Sequence, residues 1–386
     1  MTYMPLGIIV NGATGRMGYG QHLARSLLAI RHAGGVLLSD GRRQQIAIML
    51  VGRSKPALRE NAERHDIETR TTGLDLALAD DRFSIYFDAL TTSARGVAIE
   101  KAIEAGKHIY SEKPLAGSRA AAERFVHAAH AARVNTGVVH DKLYFPGIRK
   151  LERLLKSGFF GDVLSVRCDF RYWVFEGDLQ PAQRPSWNYQ ADRGGGITLV
   201  MFPHWSYLLE NLFGSVLSVY AHRATHIAER VDEAGFTYAA TADDASYVIL
   251  ELEHGVIAQI NSSWAVRVNR RELVELQVDG THGSAVAGLF HTSVQPRDVT
   301  PRPVWNPDLR DPHTHPSDWI DVPDNEAFEN GFRFQWEEFP QHVAEDAPYC
   351  HDFTSGLRAV ESAEAAVDSC VIGQKVEITR TTESHP

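Results

Sequence analysis

Residues 6–18 read Leu6-Gly7-Ile8-Ile9-Val10-Asn11-Gly12-Ala13-Thr14-Gly15-Arg16-Met17-Gly18, a short apolar run that ends in a glycine-rich turn. A β-branched run of this length predicts a buried strand, and the amphipathic stretch 17–30 that follows predicts a helix. Strand, glycine turn and helix in this order suit a dinucleotide. Glycine supplies the positive φ of the turn and lets the backbone approach a pyrophosphate, while the helix N-terminus offers N–H groups to the anion. The spacing is G-x-x-G-x-x-G, a variant of the usual fingerprint, and its setting weighs more than the glycines themselves. Gly12, Thr14, Gly15, Arg16, Met17 and Gly18 are the expected cofactor contacts of this turn.

The alternation continues outward. Apolar runs at 46–51, 85–90, 108–110 and 135–139 read as strands, and 55–65, 95–105 and 118–132 read as the helices between them. Strand–helix alternation gives a parallel, doubly wound sheet, so residues 1–145 are assigned to a dinucleotide-binding α/β Rossmann domain. After Gly161 the pattern changes. Segments 163–172, 216–222, 246–252, 257–263 and 273–278 alternate apolar and polar residues, as strands with one wet face do. A glycine-led apolar helix is expected over 197–213. Residues 146–386 are therefore read as an α+β domain on an open, mainly antiparallel β-sheet. Two last helices, at 332–343 and 355–370, are expected to pack back on the first domain. Residues 291–330 are rich in Pro, Asp and His without periodicity and read as a long loop, a lid or an arm.

Composition narrows the function classes. A chain of 386 residues with 44% hydrophobic residues suits two domains. A net charge of −10 with no basic stripe argues against nucleic acid and against an anionic membrane surface as partners. Three widely spaced cysteines (Cys168, Cys350, Cys370) fit a reducing compartment. With no signal-peptide pattern at the N-terminus and no apolar run of about 18 residues, a cytoplasmic location is expected and no membrane association. His313-Thr314-His315, with His291 upstream, lacks a third ligand of convincing spacing, so no metal is expected.

The end of the second strand reads Val51-Gly52-Arg53-Ser54-Lys55. It has no acid to hold a ribose 2′-hydroxyl, whereas Arg53 and Ser54 could hold a 2′-phosphate, so the cofactor is NAD or NADP with a lean to NADP. Thr91, past the strand at 85–90, is a further expected cofactor contact. After the strand at 108–110 comes Ser111-Glu112-Lys113-Pro114-Leu115. A lysine at the C-terminal edge of a parallel sheet points into the ligand crevice and can act in proton transfer. Glu112 and Lys113 are both taken as cofactor contacts, and Lys113 also as catalytic.

Several elements occur in an ordered series: the glycine turn, Glu112-Lys113-Pro114, Pro146-Gly147-Ile148-Arg149-Lys150-Leu151, Gly158-Phe159-Phe160-Gly161, Gly194-Gly195-Gly196, His204, and Leu212-Phe213-Gly214. In this order and spacing the chain resembles the glucose–fructose oxidoreductase/inositol dehydrogenase (Gfo/Idh/MocA) family over nearly its whole length. The resemblance implies a nicotinamide-dependent oxidoreductase, with a homodimer or homotetramer built on the open sheet. It also implies that Lys113 and His204 flank the reacting carbinol. Two departures stand out. Val200 occupies the position, four residues before His204, where relatives carry an Asp. His140-Asp141-Lys142-Leu143 stands where relatives often carry an arginine. Either Lys113 and His204 suffice, or Asp141, His140, Tyr144 or Lys142 takes over part of the proton relay.

Residues 171–193 pack Tyr172, Trp173, Phe175, Trp187 and Tyr189 among Arg171, Arg184 and Arg193. Aromatic faces suit sugar rings, and arginines suit an anionic substituent. The expected substrate is a sugar or glycoside, neutral or anionic, contacted by Lys142, Arg171, Tyr172, Trp173, Arg184, Trp187, Asn188 and His204. Three functions fit. The first is a dehydrogenase that oxidises a secondary hydroxyl, expected at C3. The second is an NAD-dependent glycosidase, sulfoquinovosidase-like, that oxidises C3, eliminates the aglycone, adds water and returns the hydride. The third is a non-catalytic dinucleotide-binding regulator.

Overall fold

The apolar run before the glycine turn is β1 (Leu6–Asn11), the inner strand of a parallel sheet. With β2 (Ile46–Val51), β3 (Thr69–Thr71), β4 (Ile85–Asp88), β5 (His108–Ser111) and β6 (Thr136–Val138) it forms a sheet of order β3-β2-β1-β4-β5-β6. Every pairing in it is parallel. The strand order reverses between β1 and β4, the point at which such sheets open a crevice at their C-terminal ends. The computed structural model describes residues 4–171, 185–266, 268, 270–300, 306, 308–309, 319–324 and 327–378. Two units emerge, Met1–Tyr144 with Phe328–Glu361, and Phe145–Ala327 with Ser362–Pro386.

Burial on both faces explains why β1 reads as continuous hydrophobicity rather than alternation. Ile8 and Val10 face Leu23, Leu27, Leu58, Trp336 and Phe339. Ile9 faces the other way, toward Ala98, Ile99, Ala102 and Phe125. The helix after the glycine turn, α1 (18–32), begins with π winding over Gly18–Leu27 and continues as α over Leu28–His32. The Ser26 hydroxyl donates to the Gln21 carbonyl five residues back, 2.8 Å away, in keeping with the wider winding. Then come α2 (Lys55–Arg64), α3 (Leu74–Leu78), α4 (Thr92–Glu104) and α5 (Arg119–Ala132).

The second unit opens with α6 (Pro146–Lys156) and is built on a mixed sheet. Its strands are β7 (Val163–Arg171), β8 (Val216–Ala224), β9 (Ala245–Leu252), β10 (Ile257–Ser263), β11 (Val274–Gly280), β12 (Gly283–Ala287), β13 (Thr292–Pro296), β14 (Ile320–Asp321) and β15 (Val376–Glu377). They are ordered β14-β13-β12-β11-β7-β10-β9-β8-β15. Within this sheet, among the described residues, only β7 and β10 pair in parallel. One face is covered by α7 (Ile197–Phe213), whose Trp205 ring packs 5.1 Å from Phe170 of β7. The other face exposes Tyr220, Tyr247, Ile249 and Ile257. The expectation of a structureless 291–330 is corrected in part. Thr292–Pro296 and Ile320–Asp321 extend the sheet at its edge, because backbone pairing needs no side-chain periodicity. His313 and His315 lie outside the described residues.

Two later helices are α8 (Gly331–Glu345) and α9 (Phe353–Ile372). Trp336 and Phe339 of α8 lie on one face of the parallel sheet, and Phe353 and Val360 of α9 on the other. No helix among the described residues is long and apolar enough to cross a membrane.

Candidate active site

The glycine turn has the shape its sequence requires. Gly12 has φ +88°, where a side chain is strained, and a Cβ there would meet the Ala89 carbonyl oxygen at 2.9 Å. A Cβ on Gly18 would sit 2.3 Å from the Gly12 oxygen, so the helix can start this close to the turn only with glycine. Gly15 N–H donates to Gly12 O (2.9 Å), and Gly12 and Ala13 N–H both donate to Val51 O (3.0 and 3.1 Å). The result is a tight backbone cradle, with glycines where a Cβ would clash, at the C-terminal ends of β1 and β2 and at the mouth of α1. That cradle fits a pyrophosphate. Thr14 and Met17 are half-buried along it, and Arg16 is exposed.

Arg53 and Ser54 are exposed just past β2. Ser54 has a structural task as well: its hydroxyl oxygen accepts from Ala57 N–H (3.4 Å) and caps α2. Thr91 is exposed in the N-cap position of α4, with its hydroxyl 3.2 Å from that of Ser93.

The Glu112-Lys113-Pro114 loop follows β5 and is held from two sides. From one side, Arg95 of α4, 2% exposed, pairs with the fully buried Asp88 at 2.7 Å. It also donates to Leu90 O (2.9 Å) and to the Pro114 carbonyl. From the other side comes a buried chain of three hydrogen bonds. The Trp336 indole donates to His22 Nδ1 (3.0 Å), His22 Nε2 bonds Glu112 Oε1 (2.8 Å), and Glu112 Oε2 accepts from the Lys113 N–H (3.0 Å). An indole N–H can only donate, so Nδ1 is the acceptor and the His22 proton is on Nε2, facing the carboxylate. Burial alone would raise the Glu112 carboxyl. The hydrogen bond from His22, with the charges of Lys113 and Arg95 near, holds it below the ordinary carboxylate range. Both Glu112 oxygens are thus engaged in fixing the loop rather than turned to a cofactor. Lys113 itself is half-buried at the edge where the glycine turn and Thr91 also stand.

The turn Asp141–Tyr144 follows β6 at the same edge. Asp141 is buried and pairs with Lys142 at 2.5 Å. The Tyr144 hydroxyl donates to Glu338 of α8. Burial, then Tyr349 and Glu338, push this phenol well above its ordinary value, which argues against Tyr144 as a proton donor near neutrality.

His140 precedes this turn, buried with its ring 5.5 Å from that of His351. Burial, then the charge of His351, depress it well below an ordinary histidine. Below about pH 6.5 the unfolded chain binds a proton that the folded state refuses. Stability from this group is complete above pH 6.5 and falls as the pH drops, by up to about 1.4 kcal/mol per unit. Urea titrations at pH 7 and pH 5 are expected to show that His140→Gln lessens the acid sensitivity. An identical pH dependence in the variant would contradict this.

In the second unit, α7 starts at Gly196 (φ +115°), and Asp243 accepts from Thr198 N–H and Oγ1–H (2.8 and 2.7 Å). The helix carries His204, 7% exposed, with Nδ1 3.1 Å from the Tyr207 hydroxyl. Val200 lies four residues before it on this helix. Asn188 is buried and its amide donates to Pro185 O (2.9 Å), a structural role in the loop before α7. Trp187 is 41% exposed. Arg171 pairs with Asp169 of its own strand at 3.1 Å, which weakens its reading as an anion clamp. Tyr172, Trp173 and Arg184 lie outside the described residues. Among the described residues no three His, Cys, Asp or Glu are grouped to hold a metal. Arg95, His22, Trp336, Glu338 and Tyr207 went unnoticed in the sequence.

A doubly wound parallel sheet with a glycine cradle at its switch point, and a lysine loop beside it, defines a dinucleotide-binding oxidoreductase. Residues 7–140 match the model of the oxidoreductase family with an NAD-binding Rossmann fold, and residues 148–286 match the GFO/IDH/MocA C-terminal domain. The chain belongs to the Gfo/Idh/MocA family. It is 52% identical over 379 residues to D-xylose dehydrogenase of Paenarthrobacter nicotinovorans, covering 97% of this chain and 98% of that protein. A levoglucosan dehydrogenase in complex with NADH and levoglucosan shares its fold at TM-score 0.80 and 19% identity, over 97% of this chain and 100% of that one. So does an aldose–aldose oxidoreductase from Caulobacter crescentus complexed with glycerol, at TM-score 0.74 and 17% identity, over 97% and 100%.

Proposed function

We propose that this enzyme is a net dehydrogenase of a free aldose of the D-xylose type. The observation that carries the reading is the 52% identity to a D-xylose dehydrogenase along nearly the whole of both chains. A free aldose makes the anomeric hydroxyl our preferred point of attack over C3. Its ring oxygen supports the developing carbonyl, and the lactone formed hydrolyses irreversibly. The cofactor, when bound, accepts the hydride. The chain supplies the rest: the glycine cradle holds the pyrophosphate, Lys113 takes the hydroxyl proton, and His204 is a further acid–base group. Asp141 and Lys142 form an ion pair that orients the sugar. Each turnover yields one carbonyl product, one reduced dinucleotide and one proton. Arg171 is held by Asp169 of its own strand, which takes support from an anion clamp, so the substrate in this reading is neutral. The exposed sheet face with Tyr220, Tyr247, Ile249 and Ile257 is proposed to bury itself against a second copy.

The test follows purified enzyme with D-xylose, other aldoses and p-nitrophenyl glycosides, recording reduced cofactor and nitrophenolate. Cofactor reduction with free xylose and a lactone product is expected. A keto sugar would move the attack to C3. Aglycone release without net reduction would replace the dehydrogenase with a redox-cycling glycosidase, and inactivity on all would favour a regulator.

Arg53 bears on the choice between NAD and NADP. A guanidinium holding a 2′-phosphate contributes a charge-assisted bond worth roughly 1.5–3 kcal/mol. Arg53→Asp is therefore expected to lower kcat/KM for NADP relative to NAD by about tenfold to a hundredfold. An unchanged ratio would remove Arg53 from the ribose site.

A further inference from the structure

The Rossmann reading leaves one feature of α7 unused: a buried phenol bonded to the imidazole that the proposed chemistry invokes. We propose that Tyr207 is the positioning residue of His204, holding its Nδ1 so that proton exchange with the sugar runs through Nε2. The proposal rests on the reading of His204 as an acid–base group. Tyr207 and His204 are three residues apart on one helix, so their side chains meet on one face. The Oη–Nδ1 distance is 3.1 Å, and Tyr207 is only 1% exposed. The two rings meet at 66° with centroids 5.7 Å apart, an edge-on contact that brings the hydroxyl to the nitrogen.

A phenol in this place has a consequence that a carboxylate would not. A carboxylate only accepts, so it ties the histidine to the tautomer with hydrogen on Nδ1 and favours the cation. A hydroxyl both donates and accepts. It donates to Nδ1 in the tautomer with hydrogen on Nε2, which presents Nε2–H to a sugar oxygen. It turns and accepts from Nδ1–H in the other tautomer, whose bare Nε2 takes up the sugar proton, and it keeps that bond in the cation so formed. Tyr207 therefore holds the ring in one orientation through both protonation states and adds no negative charge. The residue that could have brought one, four positions earlier on the helix, is Val200.

Three measurements on the full-length protein test this. His204→Ala and Tyr207→Phe are assayed with D-xylose and cofactor. Imidazole nitrogen spectra are also recorded on wild type and Tyr207→Phe without cofactor or sugar. His204→Ala is expected to abolish most turnover. Tyr207→Phe is expected to lower kcat by about tenfold to a hundredfold with KM little changed. The His204 Nδ1 resonance in the wild type should be that of a hydrogen-bonded nitrogen and should move in Tyr207→Phe. If His204→Ala loses turnover but Tyr207→Phe does not, the positioning role is overturned while the reading of His204 survives. If His204→Ala keeps turnover, it is that reading which falls. Should Tyr207→Phe not fold, the wild-type spectrum decides alone: an Nδ1 without a hydrogen bond overturns the proposal.

Discussion

Replacing Lys113 with methionine is expected to lower turnover about a thousandfold, with dinucleotide affinity nearly intact. Loss of a positioned proton-transfer group costs roughly 10²–10⁴ in rate, or about 3–5 kcal/mol of barrier at 1.36 kcal/mol per tenfold. Methionine keeps much of the stem and loses the ammonium. The contacts that shape the loop are retained, because they run through backbone atoms. Glu112 binds the Lys113 N–H and Arg95 binds the Pro114 carbonyl. The thermal midpoint should therefore stay close to wild type, and a cofactor titration should give a similar Kd. Turnover comparable to wild type would transfer the proton-accepting role to His204 or to Asp141.

That the loop could be found in the sequence while its supports could not has a physical cause. Glu112-Lys113-Pro114 is a local string after an apolar run, and the glycine turn is equally local. Their backbone demands are written in adjacent residues. His22 lies inside a helix whose apolar side covers the sheet, where it resembles any core position. Its partner Trp336 is 314 residues away in sequence. Nothing local couples the two. Several polar residues near the expected site are similarly claimed by neighbours that only the fold supplies: Ser54 by the start of α2, Asn188 by Pro185, Arg171 by Asp169, and Tyr144 by Glu338. The inner strands were legible because burial on both faces writes itself as a continuous apolar run. The strands at or next to a sheet edge, Thr69–Thr71, Thr292–Pro296, Ile320–Asp321 and Val376–Glu377, were not, since each is short and has no alternation of apolar residues to mark it.

Arg95→Leu should be the most damaging single change to the first unit. It leaves Asp88 fully buried with its counter-charge gone, and breaking a buried pair in this way typically costs about 3–5 kcal/mol. Asp88 keeps two weaker partners, the Tyr86 hydroxyl at 3.2 Å and the Leu90 N–H at 3.3 Å, neither of which supplies positive charge. Urea denaturation should show the loss directly. The double variant Arg95→Leu with Asp88→Asn is expected to recover much of it, because the asparagine oxygen still accepts from Tyr86 and no charge remains to be compensated. Activity should not recover alongside. In both variants the Pro114 carbonyl has lost its guanidinium donor, so the loop that carries Lys113 is released even where the fold is sound. Stability restored with turnover still low would separate the two tasks of Arg95, neutralising Asp88 and anchoring the lysine loop. Recovery of both together would mean that the Trp336–His22–Glu112 chain holds the loop by itself.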